Sequence, residues 1–531
     1  MTPEAPHRPR LLSRLLAAVA LATLIPVAGA ATLRFADQGD VISMDPHSLQ
    51  ESFQLSFLAN VYEPLVGRGR GFAIEPVLAT RWEQTSPTTW RFHLRRGVGF
   101  QDGTPFTADD VIFTYQRTRA ESSDTKLYVA PITEMRKVDD ATVDMVTQQP
   151  FPILPDLLAG WLIMSKSWSE KHQSQVPTDV RKGKENYASQ NANGTGPFML
   201  RSRQAGVRTV LVPNDKWWGK KEHNLTEVIF TPIANDATRV AALISGEVDL
   251  IDPVPLQDIK RLQSDPKLKV LQGPELRTMY LGLDVGRDEL LFSNIKGKNP
   301  LKDVRVRRAL YQAIDIESIR SKVMRGAATP AGIPVAPGVR GYDAELDRRL
   351  PYDPAAARQL LTEAGYPNGF EIGMNCPTDR YVNDAEICQA IAAMWTKVGV
   401  KTKLDAETKA IYLRKALQRE TSVFLLGWQP ASNDAHNTLW ALLNTTVAGG
   451  QGRFNLGGYS NPKVDELTRQ IGVEADPVKR QALMKTALGL VMADLPLLPL
   501  HNQHLAWAAK RNLELVQPPD NSFPLRYFVL R

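Results

Sequence analysis

TWRFHLRRGVGFQDGTPFTADDVIFTYQR, residues 89–117, decides how this chain is read. Trp90, Phe92 and Leu94 alternate with Arg91, His93 and Arg95, the period of a strand with one buried face. Gly97, Gly99 and Asp102-Gly103 follow with turn chemistry. Thr107 is placed to cap a helix, and Asp109 and Asp110 put negative charge in its first turn, where the helix dipole favours it. Val111, Ile112 and Tyr115 then recur at helical spacing. A strand, a glycine turn and a helix in direct succession point to a chain that mixes the two element types.

Outward from this unit, the N-terminus bears on location. Arg8, Arg10 and Arg14 form a basic region ahead of the apolar Leu15 to Val27, and Ala28-Gly29-Ala30 offers small residues for cleavage. Residues 1–30 therefore read as a secretory signal peptide, and the apolar part is short for a membrane span. No cysteine follows the cleavage site, so a lipid anchor is not expected. A soluble mature chain beginning near Ala31, in a periplasm, is the expectation. The formal net charge of +7 is spread without a long basic block, which argues against nucleic acid as a partner. The run Leu488 to Leu500 is interrupted by Asp494, Pro496 and Pro499 and reads as a buried strand rather than a membrane segment.

With 531 residues the chain exceeds one ordinary core, so two or three lobes are expected. Leu33 to Asp37 reads as a first strand, Ser43 to His47 as a turn, and Phe53 to Tyr62 as a helix. A helix within Ala237–Asp249 ends at Gly246, a favourable stop, and Val306, Ala309, Leu310, Ala313 and Ile314 lie along one helical face. Strands and helices alternate through much of the chain, the pattern of an α/β protein with mixed sheets. The only cysteines, Cys376 and Cys388, fit either a disulfide, worth about 3 kcal/mol, or two buried free thiols.

Several of these stretches carry a second reading. The unit DGTPFTADDV, together with Ile42–His47 (ISMDPH), Tyr62–Val66 (YEPLV), Gly194–Phe198 (GTGPF), the ATRVAALISGEVD stretch from Ala237 and PAAARQLLTEAGY from Pro354, closely resembles family 5 extracellular solute-binding proteins. These are the dipeptide-, oligopeptide- and nickel-binding receptors of bacterial ABC importers. The resemblance implies an α/β, two-lobed periplasmic-binding-protein fold with mixed sheets and an extra domain inserted in the first lobe. On that pattern residues 31–62, 191–283 and 504–531 form lobe I, 63–190 the extra domain and 284–503 lobe II. Tyr280–Leu283 and His501–Ala506 would be the hinge crossings. It further implies a monomeric receptor that captures peptides or a similar polar metabolite and delivers it to ABC permease membrane subunits, with no cofactor. A metal chelate, an opine or an oligosaccharide is the alternative cargo on the same fold.

Catalytic signatures do not compete with this. The sequence contains no G-x-S-x-G, H-E-x-x-H, Walker A or dinucleotide motif, and its eight histidines are scattered. A secreted hydrolase is thus a remote reading, and Asp109-Asp110 reads as helix capping rather than acid–base chemistry. For capture, Phe424 to Leu443 is the most informative segment. Val423 to Gly427 reads as a buried strand with Trp428 where it emerges, and strand ends are where open α/β sheets place ligands. In the family's peptide binders an aspartate three places after this tryptophan pairs with the peptide amino terminus. Here Ala431 holds that place, and Asp434 is the candidate carboxylate instead. Arg453, in a glycine-rich loop, is either a two-pronged partner for a ligand carboxylate or a solvated loop arginine. By resemblance, Gln50 and Ser52 fall where the family's backbone pairs with extended peptides, and Tyr128 where the extra domain contributes a pocket aromatic.

Overall fold

The computed structural model describes residues 1, 2, 31–448 and 450–531; apart from its first two residues, the expected signal peptide lies outside the described residues. An eleven-stranded mixed sheet organises the chain. Its axis is an antiparallel pair of unusually long strands, Leu268–Leu283 of 16 residues and Leu497–Lys510 of 14. On one side Leu497–Lys510 is followed by Leu250–Asp252, Thr32–Asp37, Glu227–Pro232, Arg208–Pro213 and Phe198–Gln204. On the other, Leu268–Leu283 is followed by Val423–Trp428, Phe370–Pro377 and Val400–Glu407, and the short Ala328–Pro330 pairs with Leu497–Lys510 off this path as the eleventh strand.

Each flank holds a strand paired in parallel with both of its neighbours, Thr32–Asp37 on one side and Phe370–Pro377 on the other. Parallel pairing needs both sheet faces covered, and each flank has its own core. Phe35, Phe57, Phe230, Trp507 and Phe523 pack around the first. Leu281, Ile372, Ile391, Trp395 and Leu498 pack around the second. The long pair joins the two, and its register slips between Pro274 and Thr278 and again between Met279 and Tyr280. Such irregularities bend a strand and raise its twist.

The strand of the 89–117 stretch sits in a smaller four-stranded sheet, Ala79–Ser86, Thr89–Leu94, Thr142–Thr147 and Ile132–Asp139 in spatial order. Phe92 and Leu94 are buried and Trp90 half-buried, as the alternation requires. The helix Ala108–Thr118 starts with a reciprocal cap. The Thr107 hydroxyl accepts from the Asp109 N–H, and the Asp110 carboxylate accepts from the Thr107 N–H at 2.9 Å. At its other end the fully buried Arg117 donates to both oxygens of Asp45, at 2.8 and 2.7 Å. His47 Nε2 lies 2.9 Å from the Leu162 carbonyl and must donate to it, so its Nδ1 is left to accept from Arg117 at 2.8 Å. Burial and the Arg117 charge push His47 down to about 3, so the ring is neutral. The Ser43–His47 turn is thereby locked to the helix that the motif builds.

Two readings are refined. Cys376 and Cys388 form a disulfide. The apolar run at Leu488–Leu500 is not one strand: helix Pro477–Asp494 runs through its first half, Leu495 turns the chain with φ of 49°, and the strand begins at Leu497. Pro496 cannot supply a backbone N–H, so the helix has to stop before it.

Candidate ligand-binding cavity

A cavity of about 330 Å³ opens where the register of the long strand pair slips. Its walls come from segments far apart in sequence. Gln50, Glu51 and Ser52 enter from the start of helix Ser52–Leu58, and Asp124 and Tyr128 from the segment that follows helix Ala108–Thr118. Leu276, Arg277 and Tyr280 come from the long strand, Leu426 and Trp428 from the end of Val423–Trp428, and Asp520 from the C-terminal segment. The volume lies in the range of small-molecule sites.

Trp428 is half-buried at the strand end, stacks obliquely on Phe454 with ring centres 5.4 Å apart, and its indole N–H has no partner. Gln50 donates from Nε2 to the Tyr128 hydroxyl at 3.0 Å, while its Oε1 is unpartnered. Burial pushes the Tyr128 hydroxyl up to about 12, so it remains protonated. Ser52 lines the cavity as the first helical residue, behind Glu51, whose carboxylate caps the helix by accepting from Phe53 and Gln54 at 3.1 and 2.8 Å. These four sequence-read residues, Gln50, Ser52, Tyr128 and Trp428, are brought to one space.

Asp434 and Arg453 are not among the lining residues. Asp434 is fully buried beside the cavity and accepts from Arg480 Nη1 and Nη2 at 2.6 and 2.9 Å, with Arg340 Nε 3.3 Å away. It also caps the turn Ala435–Thr438. A buried carboxylate paired with two guanidiniums is neutralised, so the expectation that Asp434 is the carboxylate offered to a ligand amine is corrected to a structural role. Arg453 is corrected on both of its readings. It is half-buried and not among the cavity-lining residues, and donates from Nη2 to Asp124 Oδ1 at 2.7 Å, with Asp124 itself in the wall.

Sequence reasoning missed Asp124, Arg277, Arg380 and Asn433, which also line the cavity. For Arg380 a signal existed. It follows strand Phe370–Pro377 just as Trp428 ends Val423–Trp428, and the same strand-end argument applies to both. Arg380 bonds Glu51 at 2.7 Å, and Lys409 lies 3.9 Å from the same carboxylate. Burial works against ionising Glu51, but the Arg380 and Lys409 charges and the capping N–H groups outweigh it and hold the carboxyl at about 2. Glu63 behaves oppositely. Burial raises it to about 7, although Trp218, Trp217 and Thr195 all donate to it.

Three ion pairs close the space around the cavity: Glu51–Arg380 at 2.7 Å, Asp124–Arg453 at 2.7 Å and Asp156–Arg340 at 3.0 Å. In each the acid precedes residue 160 and the base follows residue 339, so every pair joins the early part of the chain to the late part. Among the described residues no group of three or more His, Cys, Asp and Glu is arranged to hold a metal ion, and no helix is long and apolar enough to cross a membrane. The arrangement is that of a container whose rim charges are paired with one another.

The model for bacterial extracellular solute-binding proteins, family 5 Middle, matches residues 73–450. The chain belongs to this family. As a family 5 solute-binding protein it has relatives of diverse cargo. Heme-binding protein A of Haemophilus influenzae is 29% identical over 491 residues, spanning 86% of this chain and 85% of its own. Glutathione-binding protein GsiB of Escherichia coli strain K12 is 26% identical over 486 residues, 89% of each chain. Among solved structures, the ABC transporter-associated periplasmic binding protein DppA of Helicobacter pylori, in complex with the peptide STSA, matches with a TM-score of 0.83 at 24% identity, over 94% of this chain and 97% of its own. The two-lobed α/β fold with mixed sheets is therefore the fold of this family 5 protein.

Proposed function

We propose that the protein is the periplasmic receptor of an ABC importer, a monomer that captures a peptide or a polar metabolite of similar size and delivers it to membrane permease subunits. The observation that carries this is the position of the cavity. It is walled from both flanks of the sheet, at the slip in the only long strand pair joining them among the described residues. Lobe I then comprises residues 31–62, 191–283 and 504–531, the extra domain 63–190, and lobe II 284–503. We keep the hinge at the expected crossings, Tyr280–Leu283 and His501–Ala506, next to which the ladder register slips between Pro274 and Thr278 and between Met279 and Tyr280. A ligand touching both lobes favours the closed state through contacts that exist only there. The signal peptide read in residues 1–30 supports periplasmic placement.

A second reading, an opine or a metal chelate in place of a peptide, is favoured by one observation. The only carboxylate between Trp428 and Phe454 is Asp434, and it is committed to Arg480. Native mass spectrometry of gently purified mature protein, with identification of the released molecule, tests the proposal. A retained small molecule and a smaller scattering radius on rebinding it are expected. Identical radius and thermal midpoint with and without ligand, across broad peptide and metabolite libraries, would overturn capture by closure.

A further inference from the structure

We infer that the ligand buries no formal charge in this cavity: its buried part combines apolar bulk with neutral hydrogen-bonding groups, as in a short apolar peptide with both termini capped. This rests on the capture reading above and specifies the cargo's chemistry.

Eight charged side chains line the cavity, and each is already committed. Glu51 holds Arg380, and Asp124 holds Arg453 while also accepting from the Gln50 N–H at 3.0 Å. Arg277 donates to Glu275 at 2.7 Å, Arg68 to Asp156 at 3.4 Å and Arg526 to Glu75 at 2.7 Å. Glu63 and Asp520 have no ion-pair partner, but neutral donors hold them and burial raises the pKa of both. A ligand carboxylate approaching Arg380 would therefore also meet Glu51, and a ligand ammonium approaching Glu51 would meet Arg380. The opposed Coulomb terms largely cancel, while stripping water from the incoming ion still costs several kcal/mol.

What the wall leaves uncommitted is neutral. Gln50 Oε1, the Trp428 indole nitrogen and Asn433 Oδ1 have no hydrogen-bond partner. Asn433 is held in the left-handed region at φ of 53°, its N–H bonded to the Pro430 carbonyl at 3.1 Å and its carbonyl to the Arg340 N–H at 3.2 Å, so its side chain is presented from a fixed backbone. One donor and two acceptors of this kind match amide or hydroxyl groups. Between them the wall is apolar, with Leu55, Phe72, Leu127, Leu413, Leu426 and Phe454. Buried orphan polar atoms are costly until paired, so a neutral amide that reaches them gains where an ion would not.

The test is calorimetric titration of the mature full-length protein with four matched probes: Leu-Phe, N-acetyl-Leu-Phe, Leu-Phe-amide and N-acetyl-Leu-Phe-amide. The doubly capped form is expected to bind at least tenfold more tightly than the free dipeptide. In the Arg380→Met variant, which leaves Glu51 with only the more distant Lys409 at 3.9 Å, the amine-bearing Leu-Phe-amide should gain on the doubly capped form. Equal or tighter binding of the free dipeptide by the natural protein would overturn the inference and leave capture standing. Binding of none of the four would overturn the inference, while capture itself stands or falls on the broad libraries above. Because the first comparison needs no variant, a misfolded Arg380→Met protein would not shield the inference.

Discussion

Glu51 and Arg380 meet at 2.7 Å across the cavity, the first capping helix Ser52–Leu58 and the second following strand Phe370–Pro377. One carboxylate thus closes a helix end and ties the two halves of the container. Against the cost of burial, Arg380, Lys409 and the capping N–H groups lower its pKa from 4.5 to about 2, so the ionised carboxylate contributes stability above pH 4.5 that is lost as the pH falls toward 2. The contribution is on the order of 3 kcal/mol. Thermal midpoints of natural protein and Glu51→Gln should differ at neutral pH and converge between pH 4.5 and 2. Parallel curves would remove the linkage.

Arg453 acts on the cavity through Asp124. Arg453→Ala should leave Asp124 as an unneutralised wall carboxylate and weaken ligand binding by roughly 1–3 kcal/mol. Adding Asp124→Asn should recover part of the loss. A double-mutant cycle on ligand affinity reads the coupling, and strictly additive losses would contradict it.

Trp428→Phe retains an aromatic ring against Phe454 and deletes the unpartnered N–H. Affinity should fall by about 1 kcal/mol while the ligand-free thermal midpoint stays put. A fall in the midpoint with unchanged affinity would instead make Trp428 a packing residue.

Asp434→Asn should destabilise the fold by about 3–5 kcal/mol, because Arg480 would remain buried with no counter-charge. Urea unfolding monitors this. A stable variant with selectively lost ligand binding would return Asp434 to the site.

Cys376→Ser with Cys388→Ser should lower stability by about 3 kcal/mol, since the bridge closes a short loop of sequence separation 12. Unfolding with and without reductant measures it, and a midpoint indifferent to reductant would count against the bridge.

What could be read without coordinates was what neighbours in sequence decide. The alternation through Trp90, Phe92 and Leu94 and the Thr107–Asp110 cap involve residues at most four apart, so strand, turn and helix were legible. Trp428 was legible because a strand end is a local feature with a known spatial meaning. The split of Leu488–Leu500 was not, because an apolar run suits a buried helix or strand equally until packing chooses.

The charged residues mark the boundary most sharply. Asp434 finds Arg480 from 46 residues away, and Arg453 finds Asp124 from 329 away. A buried charge is stable only beside its counter-charge, and no local pattern says which of many candidates that will be. The sequence alone determined the family, the local elements whose residues lie close in the chain, and the strand end at Trp428. Only the tertiary structure decided which carboxylates and guanidiniums neutralise one another, and therefore what chemistry is left over to meet a ligand.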